Sequence, residues 1–366
     1  MRPDGRRRPR RRAREPPADV RGLALAGKLR SDGAVRRLAL VSLACGGCLF
    51  RDPGPEDGSG DADGDADGGT SGAPVSPGEC AWEQLAPKSA PPARVGASLT
   101  LDVGRAALVL YGGREGPKGE ALGDTWEYDG AAWRAAEASG GPGRRWGHAA
   151  AYDDGREQLV VFGGARDAGP AGRLRDTWTR GADGWRDRKV AGPSQRTLAA
   201  MTTGTGGLLL FGGLDDHDKA SGETWLWDGD AWERVADAGP SPRFAARMAR
   251  EPGGAVLLFG GCAEPACAEP LGDTWAWDGD AWTQVLDDDA PGTAAGVIAV
   301  HELAVLRIDE DLGYRWGDGA WSRVTGTTPL AGSFAAAYHP GAAGVVLFGG
   351  LRGAAAADET WVYRCE

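Results

Sequence analysis

Four arginines recur along the chain, Arg94, Arg145, Arg196 and Arg243, each just ahead of a segment rich in small residues. A guanidinium is a planar fork of donors that holds a carboxylate or sulfate through two parallel hydrogen bonds. Four of them on an acidic chain could converge on one anionic ligand. The sequence also supplies internal partners, one acid per repeat: Asp124, Asp176, Glu223 and Asp273. The fifth repeat lacks both members, which favours pairing. The sixth keeps Glu359 but shows Gly332-Ser333 where the arginine would stand, which does not. Ligand contact and internal pairing both stay open on these residues.

Other groups with the right chemistry are poorly arranged for it. Asp215, Asp216, His217 and Asp218 could hold a cation, but consecutive residues rarely converge on one ion, and a solvated loop tip is the expected reading. Asp63, Asp65, Asp67 and Gly68 resemble the opening of an EF-hand loop. Its twelfth position is Pro74, where a bidentate glutamate is needed, so calcium binding is not expected there. No nucleophile–base pair, phosphate-cradling loop or metal constellation emerges, and no cofactor is expected.

The positions that must hold these residues form a repeat. Tyr111-Gly112-Gly113, Phe162-Gly163-Gly164, Phe211-Gly212-Gly213, Phe259-Gly260-Gly261 and Phe348-Gly349-Gly350 each end an apolar run. The glycine pairs step by 51, 49 and 48 residues, then by 89, which is two shorter repeats. Asp124-Thr125-Trp126, Asp176-Thr177-Trp178, Glu223-Thr224-Trp225, Asp273-Thr274-Trp275 and Glu359-Thr360-Trp361 come after them. A second tryptophan stands seven residues after the first in four units: Trp133, Trp185, Trp232 and Trp282. Asp129-Gly130, Asp228-Gly229 and Asp278-Gly279 between them are turn dipeptides, so each pair reads as a hairpin. Four strands per unit at a period near 48 residues read as propeller blades. Small residues fit the crowded innermost strands, and tryptophans fill the wedges between outer ones.

The fifth unit is degenerate. Ala304 to Asp309 replaces the run ending in Phe-Gly-Gly, and Tyr314 stands seven residues before Trp321. Its closing hairpin keeps its length, so it is counted as a blade. The last unit stops after three strands, and Ala81 to Leu85 offers the missing fourth. Trp82 precedes Trp133 by 51 residues, the period of the repeat. The expected fold is all-β: a six-bladed propeller whose N-terminal strand completes the C-terminal blade, leaving no large open edge. Cys80 and Cys365 would then lie on neighbouring strands and form a disulfide. Cys262 and Cys267, five apart in one loop, are expected to pair with each other.

The Phe-Gly-Gly, Asp-Thr-Trp and spaced-tryptophan pattern resembles kelch repeats over residues 80–366. In kelch adaptor domains, positions similar to the four arginines ring the mouth of the central channel and contact acidic ligands. The resemblance therefore implies a ligand role for Arg94, Arg145, Arg196 and Arg243. Some kelch-type propellers are enzymes. Copper radical oxidases related to galactose oxidase need tyrosine and histidine ligands and a cysteine–tyrosine cross-link. Here His148, His217, His301 and His339 fall in different units, and the repeat cysteines are assigned to disulfides. Sialic-acid mutarotases, exported six-bladed kelch proteins, imply the runner-up function, and a structural surface role is a third reading.

The N-terminal part reads differently. Of 366 residues, the first 48 carry a net +9 and the remainder −20, for −11 overall. An acidic body argues against nucleic acid as partner. Residues 1–34 fit no signal and read as a disordered basic extension or a mis-assigned start, with translation beginning near Val35. Residues 35–48 hold Arg36-Arg37, a short apolar run and then Cys45 and Cys48. They resemble a bacterial lipoprotein export signal, either cysteine being the candidate for acylation; a cleaved soluble export signal and a disordered basic N-terminus are the alternative readings. The run is too short to span a bilayer as a mature helix. Residues 49–79, rich in Asp, Gly, Ser and Pro, read as a flexible acidic linker. Long, varied loops come after each glycine pair, and loops on a rigid scaffold are where binding resides. The expected function is a non-enzymatic, monomeric module that binds a protein or glycan partner at the cell envelope.

Overall fold

The apolar runs ahead of the glycine pairs become strands with both faces covered. Ala107–Tyr111, Val256–Phe259 and Gly344–Phe348 are buried along their whole length. Continuous apolar strands of four or five residues cannot alternate between core and water, so a neighbour must pack on each face. The computed structural model describes residues 80–136, 140–286, 297–301, 304–308, 313–317, 319–324, 329–330 and 332–365. Cys45, Cys48 and the linker acids lie outside the described residues.

The described strands assemble into six four-stranded antiparallel sheets, with two short two-stranded pairs beside them. The first sheet runs Ser98–Asp102, Ala107–Tyr111, Thr125–Tyr128, Trp133–Ala135, in chain order from inside to outside. The second, third and fourth repeat this order from Ala149 to Asp187, Ala200 to Ala236 and Arg247 to Val285. The sheet from Val297 to Val324 has four strands without the glycine pair or the Thr-Trp step. In the last sheet, Ala335–His339, Gly344–Phe348 and Thr360–Cys365 are joined by Cys80–Leu85 from the other end of the chain. Cys80 faces Cys365 and Leu85 faces Thr360 across that pairing. The five sheets carrying the repeat signature are blades of an all-β propeller.

Innermost strands of successive sheets lie side by side, and those of the first and last sheets also meet. A belt of backbone hydrogen bonds joins the residues entering these strands. Gly96 donates to Ser333 at 3.0 Å, Gly147 to Gly96 at 2.9 Å, Leu198 to Gly147 at 2.6 Å and Ala245 to Leu198 at 2.8 Å. All five have φ between +55° and +66°. Leu198, Ala245 and Ser333 thus accept a left-handed backbone that costs side-chain-bearing residues roughly 1–2 kcal/mol. Lateral hydrogen bonds around the belt offset that strain.

The seven-residue tryptophan spacing has a mechanical meaning. The second tryptophan of each hairpin reaches back to the threonine of the preceding sheet. Trp232 Nε1 donates to Thr177 Oγ1 at 2.8 Å, Trp282 to Thr224 at 2.9 Å, Trp321 to Thr274 at 3.0 Å and Trp133 to Thr360 at 2.9 Å. Each of these indoles also packs against the phenylalanine before the preceding glycine pair: Trp232 on Phe162, Trp282 on Phe211, Trp321 on Phe259, Trp133 on Phe348. Thr177 is buried, so an indole N–H deprived of it would find no water. The fifth unit has Gly313 where this threonine belongs. Trp82, the corresponding tryptophan of the last sheet, is left with a buried Nε1 that has no hydrogen-bond partner among the described residues.

The Thr177→Val variant keeps the shape and removes the acceptor. It is expected to lose about 1–3 kcal/mol of unfolding free energy in denaturant titration. An unchanged midpoint would show that this inter-blade bond carries no weight.

Candidate functional site

The four recurring arginines are interior residues, each at most 1% exposed. Arg94 donates to both oxygens of Asp124 at 2.8 Å, and Arg145 to both oxygens of Asp176 at 2.9 Å. Arg243 holds Asp273 at 2.5 and 2.9 Å, and Arg196 holds Glu223 at 2.7 Å. The same guanidinium donates to the carbonyl of the first glycine of its blade's pair: Gly112 at 2.9 Å, Gly163 at 2.8 Å, Gly212 at 3.0 Å and Gly260 at 3.1 Å. Each arginine's own carbonyl accepts from the second glycine of the preceding blade. These bonds run from Gly350 to Arg94 (3.0 Å) and, at 2.9 Å each, from Gly113 to Arg145, Gly164 to Arg196 and Gly213 to Arg243. Of the two readings the sequence left open, internal pairing is the one these four side chains adopt, and their place is between blades.

The glycine pair is the other half of this joint. A Cβ on Gly112, Gly163, Gly212 or Gly349 would lie 2.4–2.6 Å from the carbonyl oxygen of Arg145, Arg196, Arg243 or Arg94. The tryptophan of the Asp-Thr-Trp step closes the cluster, with Nε1 donating to the acid two residues earlier: Trp126 to Asp124 at 2.8 Å, Trp178 to Asp176 at 2.8 Å, Trp275 to Asp273 at 2.7 Å. In the last blade Glu359 keeps this bond from Trp361 at 2.9 Å. It takes its cation from Arg352 in the adjoining loop, at 2.6 and 2.7 Å.

Burial opposes ionisation of Asp124, Asp176, Glu223 and Asp273. Hydrogen bonds from the paired arginine and tryptophan, together with the arginine's charge, outweigh it and hold all four carboxyls below their usual range. His148 lies beside the second of these clusters. Burial, reinforced by the charge of Arg145, pushes its pKa down to about 3, so the imidazole is neutral. Its Nε2 is 2.8 Å from Ser98 Oγ, while Nδ1 is buried without a partner among the described residues. Its ring stands edge-on to Tyr111, whose hydroxyl burial pushes up to about 12.

Inside the belt lies a cavity of about 190 Å³ lined by the innermost strands, among them Ser98, Thr100, His148, Met201, Arg247 and Met248. The loops after the glycine pairs begin at its rim. Arg114 bridges to Val95, Ala165 to Trp146 and Cys262 to Phe244, while Leu214 pairs with Thr197. Each partner lies on the segment entering an innermost strand. The Asp215–Asp218 group sits on one such loop, its side chains engaged both within the loop and by residues of the preceding segments. Asp215 accepts from the His217 and Lys219 amides at 2.9 Å, Asp216 from Gln195 at 2.5 Å, and Asp218 from Arg173. Cys262 and Cys267 form a disulfide with Cα atoms 5.2 Å apart, packed on Leu214, Ala220 and Phe244.

Sequence reasoning missed Arg247 and the Ser98–His148 contact. The first could have been found by aligning the units at the start of the innermost strand, where Arg247 is the one large residue among the described blades. No family model matches the chain, and no curated protein matches it.

The titrations set the acid stability. A group whose pKa is depressed in the folded state contributes stability above its unfolded value, and this is lost as pH falls through its folded value. That rule describes the carboxyls; for a buried neutral imidazole, the cost appears on the acid side of its unfolded value. His148, with an ordinary value of 6.5, should begin to cost stability below about pH 6.5, since the folded state resists its protonation down to about 3. The four carboxyls add their loss below about pH 4. Melting temperature measured from pH 7 to 3 should fall gently, then steeply. In the His148→Gln variant the gentle part should become shallower, with His339, whose pKa burial also lowers, supplying what remains. A wild-type profile flat down to pH 3 would contradict both assignments.

Proposed function

We propose that the protein is an exported, lipid-anchored, monomeric kelch-type propeller that binds a protein or glycan partner at a bacterial cell envelope, without catalysis. In this reading all six sheets are blades of one ring, and a Cys80–Cys365 disulfide locks the strand that completes it. Acylation of Cys45 or Cys48 ties the ring to the membrane through the acidic linker. The observation that carries the binding role is the contrast between framework and loops. The recurring polar residues of the framework are consumed by inter-blade bonds, as the four buried arginine pairs illustrate. The loops after the glycine pairs differ in length, charge and covalent bracing, yet all start at one rim of the channel. A rigid scaffold with one variable rim supports recognition by local patches.

The test uses the mature protein recovered from membranes. Mass spectrometry should find an acylated cysteine at position 45 or 48 as the N-terminal residue. Replacing the loops Leu214–Ser221 and Cys262–Leu271 by short Gly-Ser connections should weaken capture of the envelope partner at least tenfold, about 1.4 kcal/mol. Unmodified cysteines would refute the anchor, and undiminished capture by the loop variants would refute the binding face.

A further inference from the structure

The rim loop of the fourth blade is held together unlike the others. Residues 262–271 read Cys-Ala-Glu-Pro-Ala-Cys-Ala-Glu-Pro-Leu, and the bonded cysteine pair is the main apolar bulk ahead of Leu271. The pair is buried, Cys262 at 2% and Cys267 at 9% exposure, while Ala263, Glu264 and Ala266 between them are exposed. It shares one apolar cluster with Leu214 and Ala220, which belong to the loop of the third blade, and with Phe244; Leu198 and Ala245 pack against that cluster. Leu198 and Ala245 are belt residues, both left-handed, joined by the 2.8 Å bond from the Ala245 N–H to the Leu198 carbonyl. One disulfide therefore underlies two loops and a segment of the belt. At the junction of the first two blades the corresponding filling is Trp146 with Ala121 and Ala165, which no thiol can alter.

A cross-link between residues five apart removes little chain entropy, so it adds little to the stability of the ring. The third and fourth blades are joined without it: Gly213 N–H donates to the Arg243 carbonyl at 2.9 Å, and Trp282 Nε1 to Thr224 Oγ1 at 2.9 Å. What the bond holds is the shape of the loop. Cys267 stands in the left-handed region at φ +46°, which a residue with a side chain disfavours, and its N–H donates to the Glu264 carbonyl at 2.8 Å. Freed from Cys262, it can leave that conformation and withdraw its sulfur from the cluster. The loop of the third blade has no cysteine, yet Leu214 and Ala220 would lose part of their cover.

We propose that Cys262–Cys267 is a redox switch for this sector of the rim. Oxidised, the pair fixes residues 214–221 and 262–271 as one rigid face; reduced, it frees both. The reductant is a dithiol. Its thiolate attacks Sγ of Cys267, the more exposed of the two sulfurs, forming a mixed disulfide and expelling the Cys262 thiolate, which takes up a proton. The second thiol of the reductant resolves the mixed disulfide and releases Cys267 as a thiol. Two electrons and two protons pass to the protein, and the dithiol becomes a disulfide. Control of partner capture by this switch rests on the binding role proposed above; the coupling between the loops does not.

Hydrogen exchange read by mass spectrometry on the full chain, with and without dithiothreitol, tests the switch. The Cys262→Ala/Cys267→Ala double variant reproduces the reduced state without reductant. A Cys80→Ala/Cys365→Ala double variant, treated with dithiothreitol, removes the other repeat-region cysteines from the comparison. On reduction, exchange in peptides covering 214–221 and 243–247 should become roughly tenfold faster. Peptides covering 114–121 and 351–357 should be unchanged, and the melting temperature should fall by only a few degrees. Change confined to 262–271, or none at all, overturns the proposal, as does a Cys262→Ala/Cys267→Ala variant that exchanges like the oxidised parent. Faster exchange in every blade also overturns it, marking the disulfide as a staple of the whole ring. Where the loops do loosen, undiminished partner capture by the reduced protein would refute the control of binding. Capture by neither redox state would instead fault the binding role, with the coupling between the loops shown.

Discussion

The buried arginine at the entry of a blade is the joint on which the propeller depends. Its side chain belongs to its own blade, forked onto the acid before the third strand and bonded to the first glycine carbonyl of the second. Its backbone belongs to the blade before, whose second glycine donates to its carbonyl. A charge this deep is tolerated only when most of its donors are matched. Arg94 spends its Nε on the Pro92 carbonyl at 3.0 Å and its remaining nitrogens on Gly112 and Asp124. A desolvated ion pair contributes little against a well-packed apolar alternative, but its geometry sets how two blades meet. The need for a glycine pair arises here, because any side chain on the first glycine would collide with the arginine carbonyl.

From that joint the rest of the ring can be built outwards. Near the axis the left-handed belt links successive entry residues, and at the outer edge indole-to-threonine bonds tie each hairpin to the blade before. The recurring polar residues are thereby absorbed into cohesion. One feature outside the framework is informative for function: the unequal loops at one rim. The fifth unit departs from the pattern, and its neighbour bears the consequence. It lacks the glycine pair and has Gly313 in the threonine position, so Trp82 in the next sheet keeps a buried donor without a partner among the described residues.

Much of the architecture was legible because it repeats. Glycine pairs at a steady period, the Thr-Trp step and the Asp-Gly turns specify strands and hairpins locally, and Trp82 one period before Trp133 located the closing strand. The arginine role was less legible, since an arginine–acid spacing is compatible with a ligand collar or an internal fork. Only burial distinguishes them, and burial is a property of the assembled ring. The left-handed belt was hidden for a related reason: Leu198, Ala245 and Ser333 adopt a conformation their own types disfavour because lateral bonds impose it. That Arg247 stands where the other signature-bearing blades carry serine or alanine shows only when the blades are compared at one register, which the strand pairings supply.

The central claim is that the recurring arginines hold blades together. Chemical denaturation of Arg145→Ala and Arg196→Ala, run beside the parent protein, tests it most directly. Removing the buried arginine takes the main partner from a carboxylate that keeps roughly a third of its surface in water, so each variant should lose up to about 3–5 kcal/mol of stability. If both variants unfold at the parent's midpoint and lose only binding of an acidic ligand, the joint described here does not exist and the arginines serve a ligand instead.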